Sequence, residues 1–243
     1  MHLNLTDLLS AQREDFAPVV PFDAATERVA SLDLSNNNQE LDELTYSDTA
    51  AFSAYINQKL AAANARYLLG GYGELREMYK RSRLFGFATG EPETITTPAE
   101  PRRLHLGIDI WGEVGTPVAA PLGGMVHSLA NNDNFGDYGA TIILQHQIDT
   151  VAFYTLYGHL SLRDVTNLRE GQFITRGQNF AHFGKPSENG QWPPHLHFQI
   201  IIDMGLWEGD YPGVCKFSER DYYLNNCPDA DQILNMNRFL VRS

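Results

Sequence analysis

From Leu104 onward the chain breaks into short β-branched or aromatic runs divided by Gly, Pro and Asn. The runs span 114–119, 124–129, 140–145, 151–157, 179–183 and 195–202. Segments this short and this closely spaced leave no room for crossover helices, which makes the region an antiparallel β-sheet rather than a set of βαβ units. The first hundred residues have another texture. A polar, irregular stretch containing Ser35, Asn36, Asn37, Asn38 and Gln39 reads as a surface loop. Ser47 and Asp48 then look like N-cap residues for a helix over 47–65, with Phe52, Tyr55, Ile56 and Leu60 as its apolar stripe. Gly70-Gly71 reads as its stop, 74–82 as a second short helix, and 91–101 as a Pro/Thr-rich connector. The chain is therefore expected to be α+β, mainly β, divided into a partly helical N-terminal extension (1–95) and a β domain with a C-terminal tail (96–243).

Composition excludes several function classes. The formal net charge of −12 leaves little to neutralise phosphates, so nucleic acid is not an expected partner. The same charge gives no electrostatic pull toward anionic cell-wall polymers. No apolar run approaches the roughly 18–20 residues needed to cross a bilayer. Residues 1–16 carry neither a basic stretch nor an apolar stretch of signal-peptide type. Cys215 and Cys227 lie in no metal-binding spacing; they could pair in an oxidising compartment if the fold brings them together, and buried or incidental thiols are the favoured reading.

Three places in the β region concentrate chemistry. His105-Leu106-Gly107-Ile108-Asp109 is extended, because Gly107 disfavours helix, and positions four apart on a strand share a face. His195-Leu196-His197 places two imidazoles on one face of another strand. Imidazole and carboxylate together suit zinc, which in catalytic sites keeps three protein ligands and one open position. With two ligands from the first segment and one from the pair, the other histidine of the pair is left free for proton transfer. His159, beside Gly158 where a strand runs into a loop, sits where functional side chains are commonly presented. His2, His127, His146 and His182 lack such a context and read as structural.

The segment 104–202 resembles peptidase family M23, the lysostaphin and LytM group. The resemblance is carried by His105-Leu106-Gly107-Ile108-Asp109, by Gly115-Thr116-Pro117-Val118-Ala119-Ala120-Pro121, by Tyr154-Thr155-Leu156-Tyr157-Gly158-His159-Leu160, and by Pro194-His195-Leu196-His197-Phe198. It implies a duplicated-hybrid-motif β core, zinc (Zn2+) held by His105, Asp109 and His197, and His159 and His195 as catalytic histidines. It also implies a zinc metalloendopeptidase acting on a peptide or on peptidoglycan. The loop 185–194, with Gln191 and Trp192, is bulkier than the family's usual approach to the histidine pair, which bears on substrate choice. Two other readings compete: a non-catalytic M23-fold binding protein, and a carrier domain similar to those of sugar phosphotransferase systems, suggested by Gly115 to Pro121. Latent members of the family block zinc with an upstream asparagine, a role for which Asn36, Asn37 or Asn38 is available; a solvated loop is the favoured reading of that stretch.

Overall fold

A computed structural model describes residues 4–86 and 100–240. The connector read at 91–101 lies outside them except for its last two residues, as do His2 and the expected boundary at 95. The architecture is α+β with strands dominating. Twelve strands occur among the described residues: β1 (Val29–Leu32), β2 (Tyr67–Gly70), β3 (Arg102–His105), β4 (Ile108–Trp111), β5 (Pro117–Ala119), β6 (Gly124–Asn132), β7 (Gly139–Ile148), β8 (Val151–Leu160), β9 (Phe173–Ile174), β10 (Asn179–His182), β11 (His195–Ile201) and β12 (Val214–Lys216). Eight of them form one sheet in the order β1-β2-β4-β11-β8-β7-β6-β9, and β10-β5 and β12-β3 form two small ribbons. Neighbours in the large sheet run antiparallel except β1 and β2, which are parallel.

Period-two alternation on the central strands positions the site. Leu196, Phe198 and Ile200 of β11, with Ile108 and Ile110 of β4, enter the largest apolar core together with Ile142, Leu144 and Tyr157. The alternate residues, Asp109 and Trp111 on β4 and His195, His197 and Gln199 on β11, therefore face the other side. The register then sets His197 opposite Asp109 and His195 opposite Trp111. On that side a second core packs Phe52 and Ile56 of the helix Thr49–Ala63 against Leu68, Trp111 and Trp192. The helix starts where Asp48 accepts a hydrogen bond from Ala51 N, and it ends at Asn64, whose left-handed backbone terminates it.

Several expectations are corrected. His105 and Asp109 do not share one strand. The chain leaves β3 at Leu106–Gly107, so His105 pairs with Val214 of β12 while Asp109 sits in the large sheet. Gly107 permits the crossing, because a Cβ there would lie 2.7 Å from the His197 ring and from the Phe198 carbonyl. Gly70-Gly71 does not stop the helix, which has already ended; Tyr67–Gly70 is instead a fully buried strand. The first forty residues are not uniformly irregular, since they hold the helix Leu5–Ala11, capped by Asn4, and β1. The short helix read at 74–82 is a 3-10 segment, Glu77–Arg81. The run at 114–119 is a strand only from Pro117, because Gly115 turns with φ +78°. Cys215 and Cys227 are both buried and free, in line with the reading as buried thiols.

Candidate metal centre

His105, Asp109 and His197 bring three donor atoms to one point, all fully or nearly buried. His105 Nε2 lies 2.9 Å from His197 Nδ1 and 3.2 Å from Asp109 Oδ1, and His197 Nδ1 lies 3.1 Å from Asp109 Oδ1. Ligands about 2.0–2.1 Å from a tetrahedral zinc stand about 3.3 Å apart, so the triangle has close to that edge length.

The proton inventory shows what such a triangle wants. His105 Nδ1 contacts the Gly71 carbonyl at 3.0 Å, and a carbonyl only accepts, so the ring proton is on Nδ1 and Nε2 carries a lone pair. Gln199 Nε2 donates to the Pro212 carbonyl, which orients the amide with Oε1 2.8 Å from His197 Nε2. That nitrogen then holds a His197 proton, and in the neutral ring Nδ1 is left with a lone pair. Two imidazole lone pairs and a carboxylate oxygen thus face one another at 2.9–3.2 Å with no hydrogen between them. A donor set of this kind is repulsive unless a cation sits among its members, and it fits zinc.

The charge states agree. Burial, aided by the Arg76 guanidinium, pushes His105 down to about 4, so it stays neutral. Burial alone would raise the Asp109 carboxyl, but the charged Arg76 guanidinium beside it counters that, and the group lies well below the usual carboxylate range. Asp109 Oδ2 is 2.5 Å from Arg76 Nη1.

His195 and His159 lie beside this triangle. His195 Nδ1 donates to the Pro193 carbonyl at 2.8 Å, leaving its Nε2 lone pair 4.0 Å from Asp109 Oδ1. Its ring stacks on Trp111 at 3.9 Å between centroids. His159, next to last in β8, has a left-handed conformation, φ +63°, and its Nδ1 donates to the Asn189 carbonyl at 2.9 Å. The two rings are 4.1 Å apart. Burial holds both neutral: His159 is pushed well down, with His195 adding to the effect, and His195 falls to about 4. Each ring therefore presents one fixed tautomer with an accepting Nε2. Of the five residues singled out in the sequence, Asp109, His159, His195 and His197 line one cleft, while the fully buried His105 touches Asp109 and His197 without lining it; Tyr138, Trp192, Trp207 and Tyr211 are among the other side chains lining it.

The sequence reading passed over three contributors. Gln199 stands two residues beyond His197 on the same strand face, a period-two signal that was there to be used. Arg76 and the Gly71 carbonyl come from the N-terminal part of the chain, with no local pattern to mark them. Trp192, in the bulky loop, is folded inward and covered by Arg81 at 4.4 Å from its ring centroid. Asn36, Asn37 and Asn38 are not at the centre: Asn38 bonds the Asp33 carbonyl and the Tyr55 hydroxyl, and Asn36 N bonds the Leu75 carbonyl. His146 is buried between the Gly123 carbonyl and the Thr155 hydroxyl, a structural setting.

Comparison with known proteins matches residues 103–206 to the family described as Peptidase family M23. The chain is similar to the L-Ala–D-Glu endopeptidase of Bacillus subtilis, with 30% identity over 129 residues, covering 50% of this chain and 37% of that protein. It is also similar to an uncharacterized metalloprotease of Haemophilus influenzae, with 33% identity over 101 residues, 42% of this chain and 19% of that one. The chain thus spans well under half the length of these curated relatives. Among solved structures, the catalytic domain of lysostaphin from Staphylococcus simulans aligns at 21% identity and TM-score 0.35, covering 70% of this chain and 96% of that domain.

Proposed function

With residues 103–206 a domain of peptidase family M23, we propose that the protein is a zinc-dependent endopeptidase hydrolysing a peptide, in peptidoglycan or a related polymer. The observation that carries this reading is the proton inventory. His105 and His197 have both committed their N–H groups elsewhere, and their lone pairs converge with Asp109 Oδ1 on one point. His105, Asp109 and His197 would hold the ion. Zinc bound there would supply Lewis-acid chemistry, polarising the scissile carbonyl and acidifying water.

The chain's own groups do the remaining work. His195 and His159 each hold a neutral ring with an accepting Nε2 toward the cleft, and Pro193 and Asn189 carbonyls keep them in that tautomer. One ring takes a proton from the attacking water, and the pair returns it to the leaving amine. The Trp111 stack fixes the plane of the His195 ring. Cleavage within peptidoglycan is supported by the B. subtilis relative, whose name specifies an L-Ala–D-Glu bond. The test is digestion of isolated peptidoglycan and of a pentaglycine peptide by the metal-loaded protein, with fragments identified by mass spectrometry. New amine termini on either substrate, lost with chelator and restored by zinc, support the reading. An intact wall and an intact peptide in the presence of one equivalent of bound zinc would instead favour a binding protein on this fold.

A further inference from the structure

Arg76 is the largest fully buried charged side chain among the described residues, with no exposed surface, and it belongs to the N-terminal part of the chain, outside residues 103–206. Every arm of its guanidinium is engaged. Nη1 donates to Asp109 Oδ2 at 2.5 Å and reaches the Tyr79 hydroxyl at 3.3 Å; Nε donates to Glu74 Oε2 at 2.7 Å; Nη2 donates to the Gly71 carbonyl at 3.2 Å. That same carbonyl accepts from His105 Nδ1, and Glu74's own carbonyl accepts from His105 N. Two of the three side chains in the triangle are therefore oriented by the turn 71–76. Close approach is built in at Gly70, where a Cβ would lie 2.9 Å from Arg76 Nη2.

We propose that Arg76 is a positioning residue of the metal centre, engaging Oδ2 of Asp109 so that Oδ1 alone is offered toward His105 and His197. The inference rests on the metal reading above. Its physical content is a contest between two effects of opposite sign. A guanidinium beside a cation site repels the cation, and Glu74 on its other side offsets only part of that charge. If charge were all that mattered, removing Arg76 would tighten metal binding. A held carboxylate, by contrast, has no rotamer to select and no second oxygen to offer, and losing that hold weakens binding. The fork donates to a carboxylate on either side and to a carbonyl at once, a geometry that a lysine ammonium on a flexible stem does not reproduce.

The experiment compares wild type, Arg76→Met, Arg76→Lys and Gly70→Ala in the full chain. Folding is checked by circular dichroism in chelator, zinc affinity is measured by competition with a chelating dye, and visible spectra are recorded after Co2+ loading. Arg76→Met is expected to lose about 10–100-fold in zinc affinity. Its Co2+ spectrum should weaken, because a freed Asp109 that uses both oxygens raises the coordination number above four. Arg76→Lys should fall between, and Gly70→Ala, which displaces the guanidinium without removing it, should show the same spectral change in milder form. A folded Arg76→Met with unchanged or tighter zinc binding and a wild-type Co2+ spectrum would overturn the proposal. If Arg76→Met does not fold, wild-type affinity and spectra in both Gly70→Ala and Arg76→Lys overturn it equally. A wild-type protein that binds no metal would remove the metal reading itself, and this inference with it.

Discussion

Gln199→Leu separates what orients a proposed metal ligand, His197, from what merely fills space. Leucine replaces most of the buried volume of Gln199 but removes the Oε1 that accepts from His197 Nε2 at 2.8 Å. It also removes the amide that donates to the Pro212 carbonyl at 3.1 Å. The orphaned Pro212 carbonyl costs the same with or without metal, so it lowers stability and leaves affinity alone. The His197 proton behaves differently. Without metal it can move to Nδ1 and donate to Asp109 Oδ1, 3.1 Å away, so the metal-free protein regains a hydrogen bond. Metal binding must then return that proton to Nε2, which is left buried with only the Tyr138 hydroxyl at 3.4 Å as a weak acceptor. An unsatisfied buried donor costs about 1–3 kcal/mol, which translates into roughly 5- to 150-fold weaker zinc binding. Chelator competition measures the affinity, and nitrogen NMR of the His197 ring in the metal-free variant reports the tautomer. Zinc binding at wild-type strength in a folded Gln199→Leu would refute the reasoning, because it would mean the tautomer of His197 is not set by Gln199.

Two further outcomes follow from burial. His146 is pushed down to about 4 by burial, against an ordinary value of 6.5, so between those values the unfolded chain binds more protons than the folded one. Its contribution is present above pH 6.5 and is lost as the pH falls toward 4, to a total on the order of 3 kcal/mol; denaturant melts across this range should show a shallower pH dependence for His146→Gln, and an identical slope would contradict the assignment. Deleting residues 1–45 should unfold the protein rather than activate it, because Leu5, Leu8, Leu9, Val19, Val20, Val29, Leu32 and Leu34 are all buried. At about 1.5–3 kcal/mol each, their loss comes to about 12–24 kcal/mol, which matches or exceeds the roughly 5–15 kcal/mol that a domain has in hand. A folded, more active truncation would restore the latency idea.

The sheet was legible because short alternating runs between turn residues have one economical arrangement, and most strands of the β region start or end within a few residues of the runs that announce them. Asp48 and the Phe52, Tyr55, Ile56 stripe marked the helix for the same local reason. Strands β1 and β2 escaped because four residues are too few to display a period, and because Gly70-Gly71 looked like a stop signal when Asn64 was already serving. His105 and Asp109 meet, but not by the route expected: the chain changes sheets between them, and they converge through tertiary packing rather than strand periodicity. Arg76 was illegible for a deeper reason. In Glu74-Leu75-Arg76 the charges resemble any solvated turn, and only the fold reveals a guanidinium closed over by Gly71, Tyr79 and Asp109. Long-range ion pairs leave no local trace in a sequence.

The central claim is that His105, Asp109 and His197 hold one metal ion while His195 stands beside it as a proton carrier. The direct measurement is metal content by elemental analysis, made on purified wild type and on the His195→Ala and His197→Ala variants, with peptide-bond cleavage assayed in parallel. Wild type is expected to carry one zinc per chain. His195→Ala should keep that zinc and lose on the order of 10²- to 10⁴-fold in activity, the range for removal of one general acid or base. His197→Ala should lose both. Equal zinc depletion in the two variants, or full zinc retention in His197→Ala, would contradict the account.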